Sequence, residues 1–408
     1  MVMPPAEAFA VSVAGQVVGH LFQRGDFTWL EWQEGYWDDP NRPVLGLRFE
    51  TSHDEQVSAA LRLPPWFSNL LPEGRLRDWV AHDARVSSER EMMLLRRLGA
   101  DLPGAVAIEK TDTVDSRWNP ESTLALPEPR PTSGERLRFS LAGVALKFSM
   151  LQAGDRLTLP GRGQRGDWIV KMPDAVYPQV PHNEFATMSL ATRLGLEVPA
   201  IALWHRDELP PLPADAWPAD QQWAYAIRRF DRTPQGGRIH MEDMCQVRGF
   251  YPDAKYHGSF DTVAALVYRR RDVDSYLEYI RRLFFSYAVG NGDMHLKNVS
   301  LIYPDGRRPV LSPAYDLVCT APYVTGDEDE DLGLKLGRSR RFESVTPGSF
   351  SRLASRVGAP IEATMSAVAD VAGLLEETWQ QTRPSMAVLP EHMRYLDERL
   401  PRVARAFS

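Results

Sequence analysis

The residue pattern predicts an α+β protein, with a mixed β-sheet N-terminal region and a mostly α-helical C-terminal part. Three observations lead there. Apolar and polar residues alternate on both sides of Ala14-Gly15 in FAVSVAGQVVGHL (9–21), the period of a half-buried hairpin. A short apolar strand, WIVKM, precedes one helix-patterned stretch and then another strand pattern, around Trp223 to Phe230. Beyond residue 240 the spacing turns helical, at 260–268, 273–289 and 361–407.

Taken in order, the hairpin is followed by an expected extended stretch from Val44 to Phe49. A helix starts near Glu73 and runs through Val80 and Ala81. Another, from Ser87 to Leu98, carries Met92, Leu95 and Leu98 at helical spacing and stops at Gly99. Residues 113–135 are rich in Pro, Ser and Thr without an apolar period, which reads as a linker or surface loop. RLRFSLAGVALKFSM reads as strand, turn and strand around Ala142-Gly143. In HNEFATMSLATRLGLEVP, Phe185, Met188, Ala191 and Leu194 share a helix face, with Gly195 just past its end.

Composition removes several function classes. With 408 residues, 43% hydrophobic and 25% charged, the chain is neither disordered, collagenous nor a coiled coil. Lys and Arg number 47 against 54 Asp and Glu, a net charge of −7, so nucleic-acid binding driven by the protein's own positive charge is not expected. No apolar run approaches the ~18–20 residues of a bilayer span. Residues 1–15 lack the basic-then-apolar order of a signal peptide. Cys245 and Cys319 are the two cysteines, which excludes a disulfide framework and a cysteine zinc site. A soluble protein of the reducing cytoplasm, without a membrane partner, is the expectation.

The chemistry concentrates in GNGDMHLKNVSLIYPDGRRPVLSPAYDLV (290–318). Phosphoryl transfer to a hydroxyl needs a carboxylate to orient that hydroxyl and take its proton, together with oxygen ligands for Mg²⁺. Asp293 and Asn298 have the D-x-x-x-x-N spacing of a kinase catalytic loop. A strand (Val299 to Tyr303), a Pro-Asp-Gly turn and a second strand then return Asp316 to the same edge, as a kinase returns its second Mg²⁺ ligand. Singly, each of these is an ordinary turn residue, and His295 alone would be a loop histidine bonded to backbone. Together, between a helix and a hairpin, they point to phosphotransfer. Upstream, Lys171 ends its strand as a phosphate-binding lysine does, with Glu184 in the next helix as its candidate partner; an edge lysine and a helix-dipole acid are the plainer readings. SLAGVALKFS contains neither a G-x-G-x-x-G nor a Walker loop, and Gly161, Gly163 and Gly166 read better as a turn than as a rival phosphate loop.

These words, with FSNLLPEGRLR, LGADLPGAVAI, NEFATMSLATRLGL, AIRRFDR, EDMCQ, GNGDMHLKN, LSPAYDLV and LGLKLG in that order, make the chain resemble the HipA-like serine/threonine kinases, toxins of bacterial toxin–antitoxin modules. The resemblance implies a bilobal, protein-kinase-like fold. It divides the chain into an N-terminal subdomain (1–112), the linker (113–135), a nucleotide-binding part (136–235) and a helical catalytic lobe (236–408). It implies ATP and Mg²⁺ as cofactors, Asp293 as catalytic base, and Asn298 and Asp316 as Mg²⁺ ligands. Ala142, Gly143, Val144, Ala145, Leu146 and Lys147 would form the ATP loop, with Lys171 on the phosphates. Arg228, Arg229 and Phe230 match the adenine hinge, and His295, Leu296, Lys297, Asn298, Tyr315 and Asp316 complete the nucleotide surround. Ser140 matches the family's autophosphorylated serine. The ATP loop departs from its relatives in reading Val-Ala-Leu-Lys, and the hinge in opening with Arg. The implied partners are a HipB-like helix-turn-helix antitoxin, operator DNA mainly through that antitoxin, and a protein substrate, by analogy an aminoacyl-tRNA synthetase whose phosphorylation halts translation.

Two other readings compete. GDxHxxN also resembles the loop of small-molecule kinases such as aminoglycoside phosphotransferases, against which FSNLLPEG and DLPGA speak. A co-repressor acting through a helix-turn-helix partner would use Arg269 to Arg271 or Arg338 to Arg341 as auxiliary patches, although a solvated face is the plainer account of both.

Overall fold

The alternation in residues 7–24 folds as a hairpin. In the computed structural model, which describes residues 6–99, 102–111, 146–153, 156–159, 166–212, 216–218, 220–324 and 331–408, β1 (Glu7–Val13) pairs antiparallel with β2 (Gln16–Arg24). With β3 (Phe27–Trp32), β4 (Val57–Ala60) and β5 (Val106–Thr111) they form an antiparallel sheet of order β4-β3-β2-β1-β5. Phe9, Val11 and Val13, two residues apart, face one way and pack with Leu63, Trp66, Phe67, Leu94 and Leu95. Ala8, Phe22 and Trp29 form a smaller cluster on the opposite face. The flanking helices are α1 (Pro65–Ser68), α2 (Gly74–Ala84) and α3 (Glu91–Leu98). The last begins four residues later than its spacing predicts. Residues 87–90 are a turn instead, in which the Ser88 carbonyl accepts from the Arg77 guanidinium at 2.7 and 2.9 Å.

The described residues gather into two compact units. One takes those of 1–143, 233–254 and 303–308, the other those of 144–232, 255–302 and 309–408. In the second unit, β6 (Lys147–Ala153), β7 (Arg156–Thr158), β8 (Trp168–Lys171), β9 (Ile201–His205) and β10 (Trp223–Arg228) form an antiparallel sheet of order β7-β6-β8-β10-β9. Helix α4 (Val180–Arg193) packs on β9 and β10 and ends with Gly195 at φ +81°. The chain then re-enters the first unit with β11 (His240–Asp243) and α5 (Met244–Arg248).

Glu242 of β11 explains why Val44 to Phe49 is not the expected strand. Its fully buried carboxylate accepts the Leu47 N–H at 2.7 Å, the Trp66 indole N–H at 3.1 Å, and the Tyr303 hydroxyl. The amide that a neighbouring strand would use is thus bound to a side chain. Burial raises the Glu242 carboxyl from 4.5 to about 7, against the pull of the three donors. Unfolded Glu242 releases its proton near the lower value and folded Glu242 near the higher. The folded state therefore binds more protons across that window and loses stability as pH rises through it. We expect Glu242→Gln, neutral throughout, to remove a loss on the order of 3 kcal/mol between pH 4.5 and 7.5. Urea unfolding at both pH values measures it; equal slopes in wild type and variant would refute it.

The remaining second-unit elements are mostly helical, as the spacing predicts. Helix α6 (Phe260–Tyr268) is capped by Ser259, whose hydroxyl accepts the Thr262 N–H. Helix α7 (Val273–Val289) is capped by Asp272 and ends at Gly290. A short hairpin, β12 (Ser300–Tyr303) with β13 (Val310–Leu311), a second hairpin, β14 (Asp331–Leu336) with β15 (Ser339–Arg341), and helices α8 (Pro347–Val357), α9 (Ile361–Thr382) and α10 (Pro390–Phe407) complete it. Among the described residues no helix is long and apolar enough to cross a membrane.

Candidate active site

Lys171 is placed by strand pairing. It ends β8, the middle strand of its sheet, opposite Lys147 on one side and Tyr225 on the other. Its ammonium is nearly enclosed, lies 2.6 Å from Glu184 Oε1, and touches the Asp316 carboxylate. Glu184, one turn into α4, is itself buried, so the strand end and the helix meet through this ion pair. Lys147 Nζ approaches the other Asp316 oxygen at 3.9 Å. Burial lowers Lys171 from 10.5 to about 8; Glu184 opposes the shift, Lys147 adds to it, and Asp293 opposes it. That last interaction brings Asp293 and Asp316 within the field of one lysine.

Asp316 does not end a strand, as its sequence context predicts. Strand β13 stops at Leu311, the Ala314 N–H is bound to the Glu197 carbonyl at 2.7 Å, and Asp316 adopts φ +56°. This left-handed conformation is tolerated by Asp and Asn better than by other side-chain-bearing residues. Beyond it the chain is tied back to α4. The Asn183 amide donates to the Cys319 carbonyl at 2.8 Å and accepts the Cys319 N–H at 3.0 Å. Asn183 adjoins Glu184, so one helical turn both pairs Lys171 and anchors the segment carrying Asp316.

The Asp293 loop starts where α7 ends. Gly290 has φ +70°, and a Cβ there would lie 2.8 Å from the Tyr395 ring, so glycine is required twice over. The Asn291 side chain accepts the Asp293 N–H at 2.9 Å, and Asn298 donates to the Asp293 carbonyl at 2.9 Å. Thr320 Oγ1 accepts the Gly292 N–H at 2.8 Å. Asp293, 8% exposed, receives the Tyr256 hydroxyl on Oδ1. His295 is fully buried, and neither ring nitrogen has a hydrogen-bond partner among the described residues. Burial holds its pKa well below 6.5, and Lys255 and Lys297 push the same way. Strand β14 runs close by: a Cβ on Gly333 would lie 2.7 Å from the Met294 carbonyl carbon.

Other residues singled out by the sequence are distributed as follows. Tyr315 Oη lies 2.9 Å from the Lys297 carbonyl and 2.5 Å from Ser300 Oγ, and its ring stands 5.6 Å from that of Phe230. The Arg228 and Arg229 amides are bound to the Ala200 and Asp167 carbonyls, both at 2.8 Å. The Arg229 guanidinium is forked onto Asp231. The Leu146 and Leu296 side chains are core. Ser140, Ala142, Gly143, Val144 and Ala145 lie outside the described residues, as does the stretch 113–135. Arg340 turns inward, onto the carbonyls of Gly333 and Tyr256. Arg269 reaches the Leu266 and Pro309 carbonyls, while Arg270 and Arg271 are exposed. Tyr256, Asn183 and Thr320 were not evident from sequence spacing, although Asn183 stands in the recognisable NEFATM word.

The donor set fits a nucleotide with Mg²⁺. Around Lys147 and Lys171 stand three carboxylates, Glu184, Asp293 and Asp316, one more than the two lysines balance. Asn298 commits its nitrogen to Asp293, which leaves its oxygen, the atom a hard cation uses, without a protein donor among the described residues. No preformed group of three His, Cys, Asp or Glu ligands occurs among the described residues. Mg²⁺ characteristically completes so sparse a set with phosphate oxygens and water.

Known proteins resemble the chain along nearly its whole length. The family model for the HipA-like C-terminal domain matches residues 139–379, and that for the HipA N-terminal domain matches 9–109. Y4dM of Sinorhizobium fredii, provisionally named a kinase, is 37% identical over 410 residues, covering 98% of each chain. The serine/threonine-protein kinase toxin HipA of Shewanella oneidensis is 26% identical over 348 residues, covering 75% of this chain and 72% of its own. A Shewanella oneidensis MR-1 structure of HipA with HipB and operator DNA superposes with a TM-score of 0.75 at 20% identity, covering 97% of this chain and 96% of the other, so the fold is shared. With matches running through both its N-terminal and C-terminal parts, the chain belongs to the HipA kinase family.

Proposed function

We propose that the chain is an ATP- and Mg²⁺-dependent protein serine/threonine kinase and the toxin of a two-component growth-arrest module. The observation that carries this reading is Lys171, buried between Glu184 and Asp316 and within the field of Asp293. Asp293 orients the acceptor serine hydroxyl and takes its proton as the serine oxygen bonds to the γ-phosphorus and the bond to the β,γ-bridging oxygen breaks, releasing ADP. Lys171 and Lys147 neutralise phosphate charge. Asn298 and Asp316 would hold Mg²⁺, which supplies further neutralisation of the β- and γ-phosphates. Phe230 and Tyr315, ring against ring, would border the adenine.

The finer assignments rest on the family resemblance. The target would be an aminoacyl-tRNA synthetase, Ser140 the site of silencing autophosphorylation, and a HipB-like antitoxin the neutralising partner through which operator DNA is reached. The Shewanella oneidensis relative, solved with HipB and its operator, supports the last of these. Phosphoproteomics of cells expressing wild type or Asp293→Asn tests the target: a synthetase site phosphorylated with wild type alone is expected, and identical phosphoproteomes would overturn the proposal. The same spectra report on Ser140; a phosphate on Ser149 instead would relocate the silencing site.

A further inference from the structure

Residues 255 and 256 are stitched to the Asp293 loop at two points. The Leu296 N–H is bound to the Lys255 carbonyl at 3.0 Å, and the Tyr256 hydroxyl donates to Asp293 Oδ1. The Tyr256 ring stands edge-on to His295, with centroids 5.0 Å apart at 78°. Arg340 holds the Tyr256 carbonyl with one guanidinium nitrogen and the Gly333 carbonyl with another. Gly333 in turn packs on the backbone of Met294 and Gly292. Tyr256 is therefore held on three sides, by a ring, a carbonyl clamp and its own hydroxyl, and the hydroxyl is aimed at the Asp293 carboxylate.

We propose that Tyr256 is a positioning residue of Asp293, its hydroxyl fixing the orientation of the carboxylate towards the acceptor hydroxyl, with Arg340 holding Tyr256 in place. This rests on the kinase reading above. A carboxylate free to rotate takes many orientations, whereas one pinned by a donor is held in one. Other groups that interact with Asp293 include Lys171 from β8 and Tyr177 from the segment before α4. His295, flanked by Lys255 and Lys297, stays neutral behind the Tyr256 ring. None of these supplies the hydroxyl bond to Oδ1.

Tyr256→Phe keeps the ring and the backbone clamp and removes that bond alone. Steady-state transfer from ATP to a serine peptide or to the chain itself should fall about 10- to 100-fold in kcat, the loss typical of one hydrogen bond to a charged group. The KM for ATP should stay within about twofold, so that the loss is in kcat and not in nucleotide binding. Arg340→Lys should reduce kcat less. A Tyr256→Phe enzyme with wild-type kcat overturns the proposal. So does wild-type protein recovered with phosphate on Tyr256, which would make that hydroxyl an acceptor. Failure of wild type itself to transfer phosphate from ATP would instead refute the kinase reading.

Discussion

Asp293→Asn is expected to leave a folded, nucleotide-competent protein that transfers no measurable phosphate and no longer arrests growth. The substitution keeps the shape of the side chain and the oxygen that accepts from Tyr256. The backbone bonds from Asn298 and to Asn291 do not involve the carboxylate and persist. Only the proton acceptor is removed. Loss of a positioned general base costs typically about 10²–10⁴-fold, and the orientation of the acceptor hydroxyl is lost with it. Autophosphorylation, a peptide assay and a growth curve under induction read the effect. A thermal midpoint within ~2 °C of wild type would confirm that chemistry and not folding was lost. An Asn variant that remained toxic would remove Asp293 from the mechanism.

Lys171→Met should lose both activity and stability, and the two losses should be separable. Methionine fills similar space but leaves the buried Glu184 carboxylate without its 2.6 Å partner. Removing one member of a buried pair costs roughly 3–5 kcal/mol, mostly through the uncompensated charge left behind. Adding Glu184→Gln removes that charge. The Lys171→Met/Glu184→Gln double variant is therefore expected to recover most of the unfolding free energy while remaining inactive, because the cation that faces the phosphates is still missing. Urea denaturation beside the peptide assay distinguishes the two losses; a double variant regaining activity would show that Lys171 serves the fold alone. In wild type the same lysine, lowered to about 8, loses its charge above that pH. The kcat/KM for ATP, which reports the free enzyme, should accordingly fall on an alkaline limb near pH 8.

Legibility from the sequence followed the range of the interactions. The hairpin of 7–24, the helices Phe260–Tyr268 and Val273–Val289, and the strand carrying Lys171 are written in short-range apolar periods, and they fold where those periods place them. Asp293 and Asn298 are five residues apart and share one loop, so their association needed no tertiary information. The Lys171–Glu184 pair was anticipated because a strand end and the following helix start lie close in the chain. Where a distant side chain captures the backbone, the local pattern misleads. Val44 to Phe49 reads as an extended stretch, but the Leu47 amide is taken by Glu242, 195 positions away. The second hairpin strand stops at Leu311, because the chain beyond it bonds elsewhere and Asp316 turns left-handed.

The sequence by itself determined the family, the N-terminal hairpin, the helices of 260–268 and 273–289, and which residues are candidates for the phosphates and the acceptor. Those properties reside in words of five to fifteen residues, within reach of local periodicity and motif spacing. Tertiary structure decided how those residues are held. Tyr256 reaches Asp293 across 37 positions, and Asn183 grips the backbone of Cys319 across 136. Arg340 turns from a surface patch into the clamp on Tyr256. Such partners leave no period in the chain, because a hydrogen bond depends on where two atoms meet in space and not on how many residues separate them. Asp293 is thus legible as the candidate base from its loop, while the orientation of its carboxylate, fixed by Tyr256, is a property of the folded chain.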